Sequence, residues 1–138
     1  MSLMNIFSVS GSAASAQSQR LNVVASNLAN ADTVAGPDGQ AYKARQVTFQ
    51  TQLMGANASD PTAAGVVVSN ITEDQSAGRR VHDPANPSAD ADGYVTYSNV
   101  NAVDEMVNMI SASRSYQNNI EVMNTAKSLM LKTLQMGQ

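Results

Sequence analysis

The chain has 138 residues, of which 43% are apolar and only 14% charged, with a net charge of −3, no cysteine and no tryptophan. One domain is the natural size, and the charged share is far below the roughly 25% of an ordinary soluble domain. An acidic, cysteine-free chain of this kind argues against nucleic-acid binding, disulfides and thiolate metal sites, and no apolar run approaches the ~20 residues of a membrane span.

Residues 1–31 carry a single charge, Arg20. Their opening, Met1 to Phe7, lacks the basic region and continuous apolar stretch of a cleaved leader. Steps of four and three connect Leu3, Phe7, Ser10, Ala14, Gln17, Leu21, Val24, Leu28 and Ala31 into one heptad seam. A helix ending near Ala31 is expected, stopped by Asp32 and Thr33 and the turn Gly36-Pro37-Asp38-Gly39.

Residues 32–99 hold all four prolines and six of the eight glycines, so long helices are confined to the two ends. Strands are expected at Val66 to Thr72 and Gly93 to Tyr97, with a weaker one from Tyr42 to Thr51. A mobile loop is expected near 52–65. The result is a small β-rich insert.

Residues 100–138 read as a second, longer helix. Val103, Met106, Ile110, Ser113, Gln117, Ile120, Asn124, Lys127, Leu131 and Leu134 form its heptad row. Met109, Tyr116, Met123 and Met130 lie beside that row and widen the stripe. The expected fold is α+β, mainly α. Its two terminal helices pair as an antiparallel coiled coil, 1–31 and 100–138 forming one discontinuous domain around the insert.

These helices look unfinished for a monomer. Neither contains an oppositely charged i,i+4 pair, and Ser, Ala and Asn fill positions where a solvated helix carries Lys and Glu. Ordering some 65 helical residues at ~1–2 kcal/mol each exceeds what two helices can offset alone. An intramolecular helix hairpin is the simpler reading. Self-association or a partner is the favoured one.

At this point a family resemblance enters. The stretch from Ser18 to Asp32, centred on Ser26-Asn27-Leu28-Ala29-Asn30, closely resembles the N-terminal signature of bacterial flagellar rod, hook and junction proteins. Gly93 to Asn101, then Glu105-Met106 and Ser113-Arg114-Ser115-Tyr116-Gln117, resemble the matching C-terminal signature. With Asp83-Pro84, Pro87, Ala89-Asp90 and the short middle, the resemblance is to the basal-body rod proteins, closest to the C-type proximal rod subunits. Ser98 departs from that pattern, where a proline is expected, and is read as loosening the strand-to-helix junction.

The resemblance implies a structural subunit of the proximal rod, assembling through its terminal helices into a torque-transmitting shaft that spans the periplasm. It implies no enzyme activity and no cofactor. Its partners would be copies of itself, other rod subunits, the rod base at the membrane ring, and the type III export apparatus that secretes it without a cleaved leader. Subunit packing is assigned, by motif and seam, to Leu21, Val24, Asn27, Leu28 and Asn30 in the first helix. In the second part it is assigned to Asn99, Asn101, Met106, Ile110, Arg114, Tyr116, Gln117, Ile120, Leu131 and Leu134. Asn27 and Asn30 also fit a simpler reading, an ordinary helix end beside a turn. Two rivals are another type III secretion-linked tube, which would lack the paired signatures, and a cell-wall hydrolase, which would need a further domain with a general-acid Glu.

Other signals lead nowhere. Ser88-Ala89-Asp90-Ala91-Asp92-Gly93 imitates half of a calcium loop, but its first ligand is Ser and its twelfth position is Asn99. His82, the single histidine, has no triad around it and reads as a solvated loop residue. Arg79-Arg80 reads as a surface pair, and the sequons at Asn57 and Asn70 as chance. No small-molecule substrate is indicated.

Overall fold

The computed structural model describes residues 2–54 and 63–137. Two helices, α1 (Leu3–Ala29) and α2 (Ala102–Met136), flank a small β insert. The insert contains β1 (Arg45–Leu53), β2 (Ala64–Glu73), β3 (Arg80–His82) and β4 (Tyr94–Thr96). β1 pairs with β2, and β3 with β4. The Met54 amide donates to the Ala63 carbonyl and the Asp74 amide to the Ala44 carbonyl, so β1 and β2 run antiparallel. β3 and β4 are antiparallel too, with Arg80, Val81 and His82 opposite Thr96, Val95 and Tyr94.

Both ends of the span expected as a mobile loop, 52–65, are strand instead. Gln52 and Leu53 belong to β1, and Ala64 and Gly65 to β2. Residues 55–62, including the Asn57 sequon, lie outside the described residues. β3 is an element the sequence did not suggest; a three-residue strand of Arg, Val and His carries no periodicity to read.

Local chemistry sets the helix ends. Ser2 Oγ accepts the Asn5 amide at 3.2 Å and caps the start of α1. At its far end the Asn30 amide is shared between the Ser26 and Asn27 carbonyls. The next turn closes through Gly39 N–H to the Gly36 carbonyl at 2.9 Å, with Gly39 at φ +74°. Asn101 caps α2: its Oδ1 accepts the amides of Val103 and Asp104, at 3.1 and 3.4 Å.

The chain forms two compact units. The first comprises Met1–Leu21, Thr48–Asn70 and Ile110–Gln138. Its buried side chains are small: Ser10, Ala14, Ala16, Ala63, Ala112 and Ala126. Ser12 Oγ accepts the Val66 amide at 3.1 Å, tying α1 to β2. Gly65 allows that approach, because a Cβ there would meet Ser12 Oγ at 2.7 Å and the end of Met54.

The second unit comprises Asn22–Val47 and Ile71–Met109. It buries Val24, Asn27, Ala35, Ala44, Val95 and Ser98. Residues 33–35 run along the free edge of β4, where the Ala35 amide reaches the Thr96 carbonyl and the Ser98 amide the Thr33 carbonyl.

The α1 seam faces inward along its whole length; all nine of its residues are buried or half-buried. The α2 row does not. Of its large members, Val103, Met106, Ile110, Leu131 and Leu134 are more than half exposed, and Ile120 is half-buried. The buried positions of α2 are Ala112 and Ala126, with Met109, Met123 and Met130 half-buried beside them. The inward face is therefore the flanking row, turned by about one residue. Small alanines, which let backbones approach, select that face over larger side chains.

Candidate functional site

Asn27 is the centre of the second unit and is wholly buried. It sits in the last turns of α1, where Val24 anchors the same face. Its Oδ1 accepts from the Tyr42 hydroxyl and from the Arg45 amide, each at 2.9 Å. Its Nδ2 donates to the Arg45 carbonyl at 2.8 Å and to Glu105 Oε2 at 3.2 Å. One amide thus joins the end of α1, the start of β1 and the first turn of α2. Its hydrogen-bonding capacity is filled, as burial of so polar a group requires. Tyr42 Oη also lies 3.2 Å from Ser26 Oγ.

Asn99 does similar work beside the start of α2. Its Oδ1 accepts the Ala44 amide at 2.7 Å, and its Nδ2 donates to the Asp74 carbonyl at 2.9 Å and the Ser76 carbonyl at 3.1 Å. Ala44 and Arg45 are therefore fixed from two sides by two asparagines. Asn30 is simpler: its Nδ2 donates to the Ser26 carbonyl at 2.9 Å, the helix-end role that was its plainer reading.

Ser98 is a correction to the sequence reading. Its Oγ donates to the Ala31 carbonyl at 2.6 Å, and its amide to the Thr33 carbonyl at 3.2 Å. A proline has no amide hydrogen to give, so Ser98 tightens the junction it was expected to loosen.

The acidic turn holds itself. Asp90 Oδ1 accepts the amides of Asp92 and Tyr94, and its Oδ2 meets Arg80 Nη2 at 2.9 Å. The Tyr94 amide chiefly, then the Asp92 amide and Arg80, hold the Asp90 carboxyl below its ordinary value. The Ser76 amide does the same for Asp74, with smaller help from the Ser76 hydroxyl and Lys43. Arg79 and Arg80 lie over the rings of Tyr97 and Tyr94, at 4.9 and 4.7 Å, and His82 meets Tyr94 edge-on at 5.0 Å. His82 is thus an exposed strand residue, not a loop one. Among the described residues, no group of three or more His, Asp or Glu side chains is placed to hold a metal.

The remaining candidate residues divide by exposure. Leu21, Leu28 and Ile120 are half-buried, and Val24 is buried. Asn101, Met106, Ile110, Arg114, Tyr116, Gln117, Leu131 and Leu134 are exposed. The structure gathers Asn27 and Asn99 around one backbone segment and leaves the large apolar residues of α2 in solvent. Sequence reasoning missed Tyr42 as a partner of Asn27, and Glu105 as more than a member of the C-terminal signature. The pairing of Asn27 with Glu105 spans 78 residues, and no local pattern signals it.

Comparison with known proteins explains why both ends carry the signal. The family described as "Flagella basal body rod protein" matches residues 7–37, and "Flagellar basal body rod FlgEFG protein C-terminal" matches residues 91–136. The "Flagellar basal-body rod protein FlgC" of Yersinia enterocolitica is 61% identical over 138 residues, covering all of both chains. Proteins of the same name from Escherichia coli O157:H7 and Salmonella typhimurium are each 58% identical, again over the full length of both. The chain belongs to the flagellar basal-body rod protein family.

It is a structural subunit of the rod, and its relatives are named for that role. The reading as another secretion-linked tube is not favoured. In this rod protein both matched regions contain one of the two asparagine hubs, Asn27 in the first and Asn99 in the second. The N-terminal signature therefore centres on a residue that fixes the subunit's own fold. No helix among the described residues is long and apolar enough to cross a membrane.

Proposed function

We propose that this chain is a subunit of the proximal rod, packing through its two terminal helices into the shaft that carries torque from motor to hook. α1 and α2 pair as an antiparallel coiled coil, and the β insert lies outside that inner layer. The observation that carries this reading is the exposed apolar row of α2, on a chain matched end to end by rod proteins. Large apolar side chains held in solvent, while the interior of the described residues is mostly alanine and serine with Val24, Val95 and Asn27, are surface reserved for neighbours. Met106, Ile110, Leu131 and Leu134 make that packing directly. Asn27 and Asn99 act one step back, by fixing the geometry from which the helices project. Other rod subunits and the rod base are its further partners, and it reaches them through the type III export apparatus.

The test uses Ile110→Asp and Leu134→Asp. Both residues are more than half exposed, so the subunit's own fold is spared. In an interface each variant leaves a desolvated carboxylate without a partner. Secretion of both variants should continue at the unmutated level while rods and motility are lost. Normal rods containing either variant in full amount would refute the packing role of this row.

A further inference from the structure

An open apolar groove of about 440 Å³ lies within the first unit. Leu3 and Ile6 of α1 line one side, and Val122, Ala126 and Leu129 of α2 the other. Such a groove between two helices suits a third helix presenting apolar residues at i, i+3, i+4 and i+7. The chain itself carries that pattern: Val103, Met106, Val107 and Ile110 have this spacing and are 68%, 55%, 61% and 60% exposed. Among the described residues it is the one helical stripe of four large apolar side chains so exposed. The α2 side of the groove also carries Asn118, Glu121 and Thr125, so the uncharged stripe is matched to the part formed by Leu3, Ile6, Val122, Ala126 and Leu129.

The stripe cannot fill the groove of its own chain, because α2 is itself one wall of it. We infer that the groove receives the Val103–Ile110 stripe of a second copy of this chain, in a head-to-tail contact. This rests on the proposed packing of the α2 row and says which surface that row meets. Stripe and groove have no residue in common. A chain therefore gives its stripe on one side and receives a neighbour's on another, a heterologous contact that repeats without self-limiting at two copies.

The absence of native cysteine makes the test clean. Met106→Cys and Val122→Cys are placed on separately tagged chains, expressed together in motile cells and mildly oxidised in isolated basal bodies. The mixed pair should give a disulfide-linked dimer and nothing longer, and each variant alone should stay monomeric. One chain carrying both substitutions should give a ladder of multiples. Ile110→Cys with Leu129→Cys is the second pair, used if the first disturbs folding, and should behave the same. Dimers from Met106→Cys alone, links preferring Met106→Cys with Leu129→Cys, or links to a different protein would overturn the contact. So would basal bodies that contain the variants without either link, an outcome that leaves the rod reading standing. Basal bodies lacking even the unmutated chain would overturn the rod reading and the contact with it.

Discussion

Replacing Asn27 with Ala removes a wholly buried side chain and all four of its hydrogen bonds. Two of the stranded groups recover. Tyr42 keeps its contact with Ser26, and Glu105 is only half-buried and can turn to water. The amide and carbonyl of Arg45 lose their partner together. Arg45 is itself an exposed residue that water reaches in part, so the loss is nearer the net worth of two hydrogen bonds, about 1–3 kcal/mol. Every 1.4 kcal/mol is tenfold, which makes the Arg45 amide exchange with solvent deuterium at least ~5-fold faster in Asn27→Ala. Asn30→Ala loses one bond at a helix end and should cost about 0.5–1.5 kcal/mol. Asn27→Asp keeps the shape but turns a donor into an anion facing the Arg45 carbonyl and the Glu105 carboxylate. Burial and that neighbour raise its folded pKa above the ordinary ~3.9, so the damage is full at neutral pH and lessens as pH falls through the raised value. Equal exchange rates for Asn27→Ala and Asn30→Ala would refute the assignment of Asn27 as the hub.

In the dilute isolated chain, amides within 3–20 and 112–136 should exchange quickly, while those of 94–98 stay protected. Among its described residues the first unit buries nothing larger than alanine or serine, whereas Val95 is fully enclosed in the second; strong protection of both helix arms in a demonstrated monomer would contradict this. Gly39→Ala meets no neighbour and isolates the left-handed backbone penalty of about 1–2 kcal/mol. Gly93→Ala, at φ +81°, adds His82 Nε2 at 3.2 Å and Pro84 Cγ at 3.3 Å, so its thermal midpoint should fall further than that of Gly39→Ala. Asp74 and Asp90 titrate below their ordinary 3.8, so their stabilisation is present above that value and lost as pH falls beneath it. Asp90→Asn should accordingly show a shallower decline in thermal midpoint between pH 5 and pH 3, set as about one unit either side of the ordinary carboxylate value.

How much of this was legible in sequence depends on the range of the interaction. Both helices followed from heptad spacing bounded by prolines and glycines, and their ends fell within two residues of expectation on each side. Strands β1, β2 and β4 followed from β-branched and aromatic runs. β3 did not, because its pairing with β4 is fixed by the intervening turn and by Arg80 bonding Asp90, not by any pattern of its own. The α2 row went wrong for a different reason. Hydropathy ranks Met106 and Ile110 above Ala112 and Ala126, yet burial ranks them the other way. The rule that large apolar residues form the core holds for a chain that is complete alone. Asn27 stood out as a motif residue, but its partners Tyr42, Arg45 and Glu105 are 15, 18 and 78 residues away, and only the fold brings them together.

That inversion has a physical logic for a subunit that must be specific before it is complete. Apolar contacts are strong but non-directional, so a chain whose bulky residues filled its own interior would have little left to hold a neighbour. Hydrogen bonds are weaker in net terms but directional, and a buried amide tolerates only one arrangement of its partners. Here Asn27 and Asn99 fix the register of α1, β1 and α2 with little apolar bulk, and alanines keep the packed faces close. Valine, methionine, isoleucine and leucine on α2 are thereby left in solvent. In the proposed packing their burial adds stability that a free subunit lacks, because any partner that binds the folded state draws the equilibrium toward it. The same side chain cannot stabilise the monomer fully and also drive polymerisation. In the proposed packing the two tasks fall to different residues: small side chains and the buried asparagine Asn27 hold the fold, and the large apolar side chains exposed on α2 hold the neighbour.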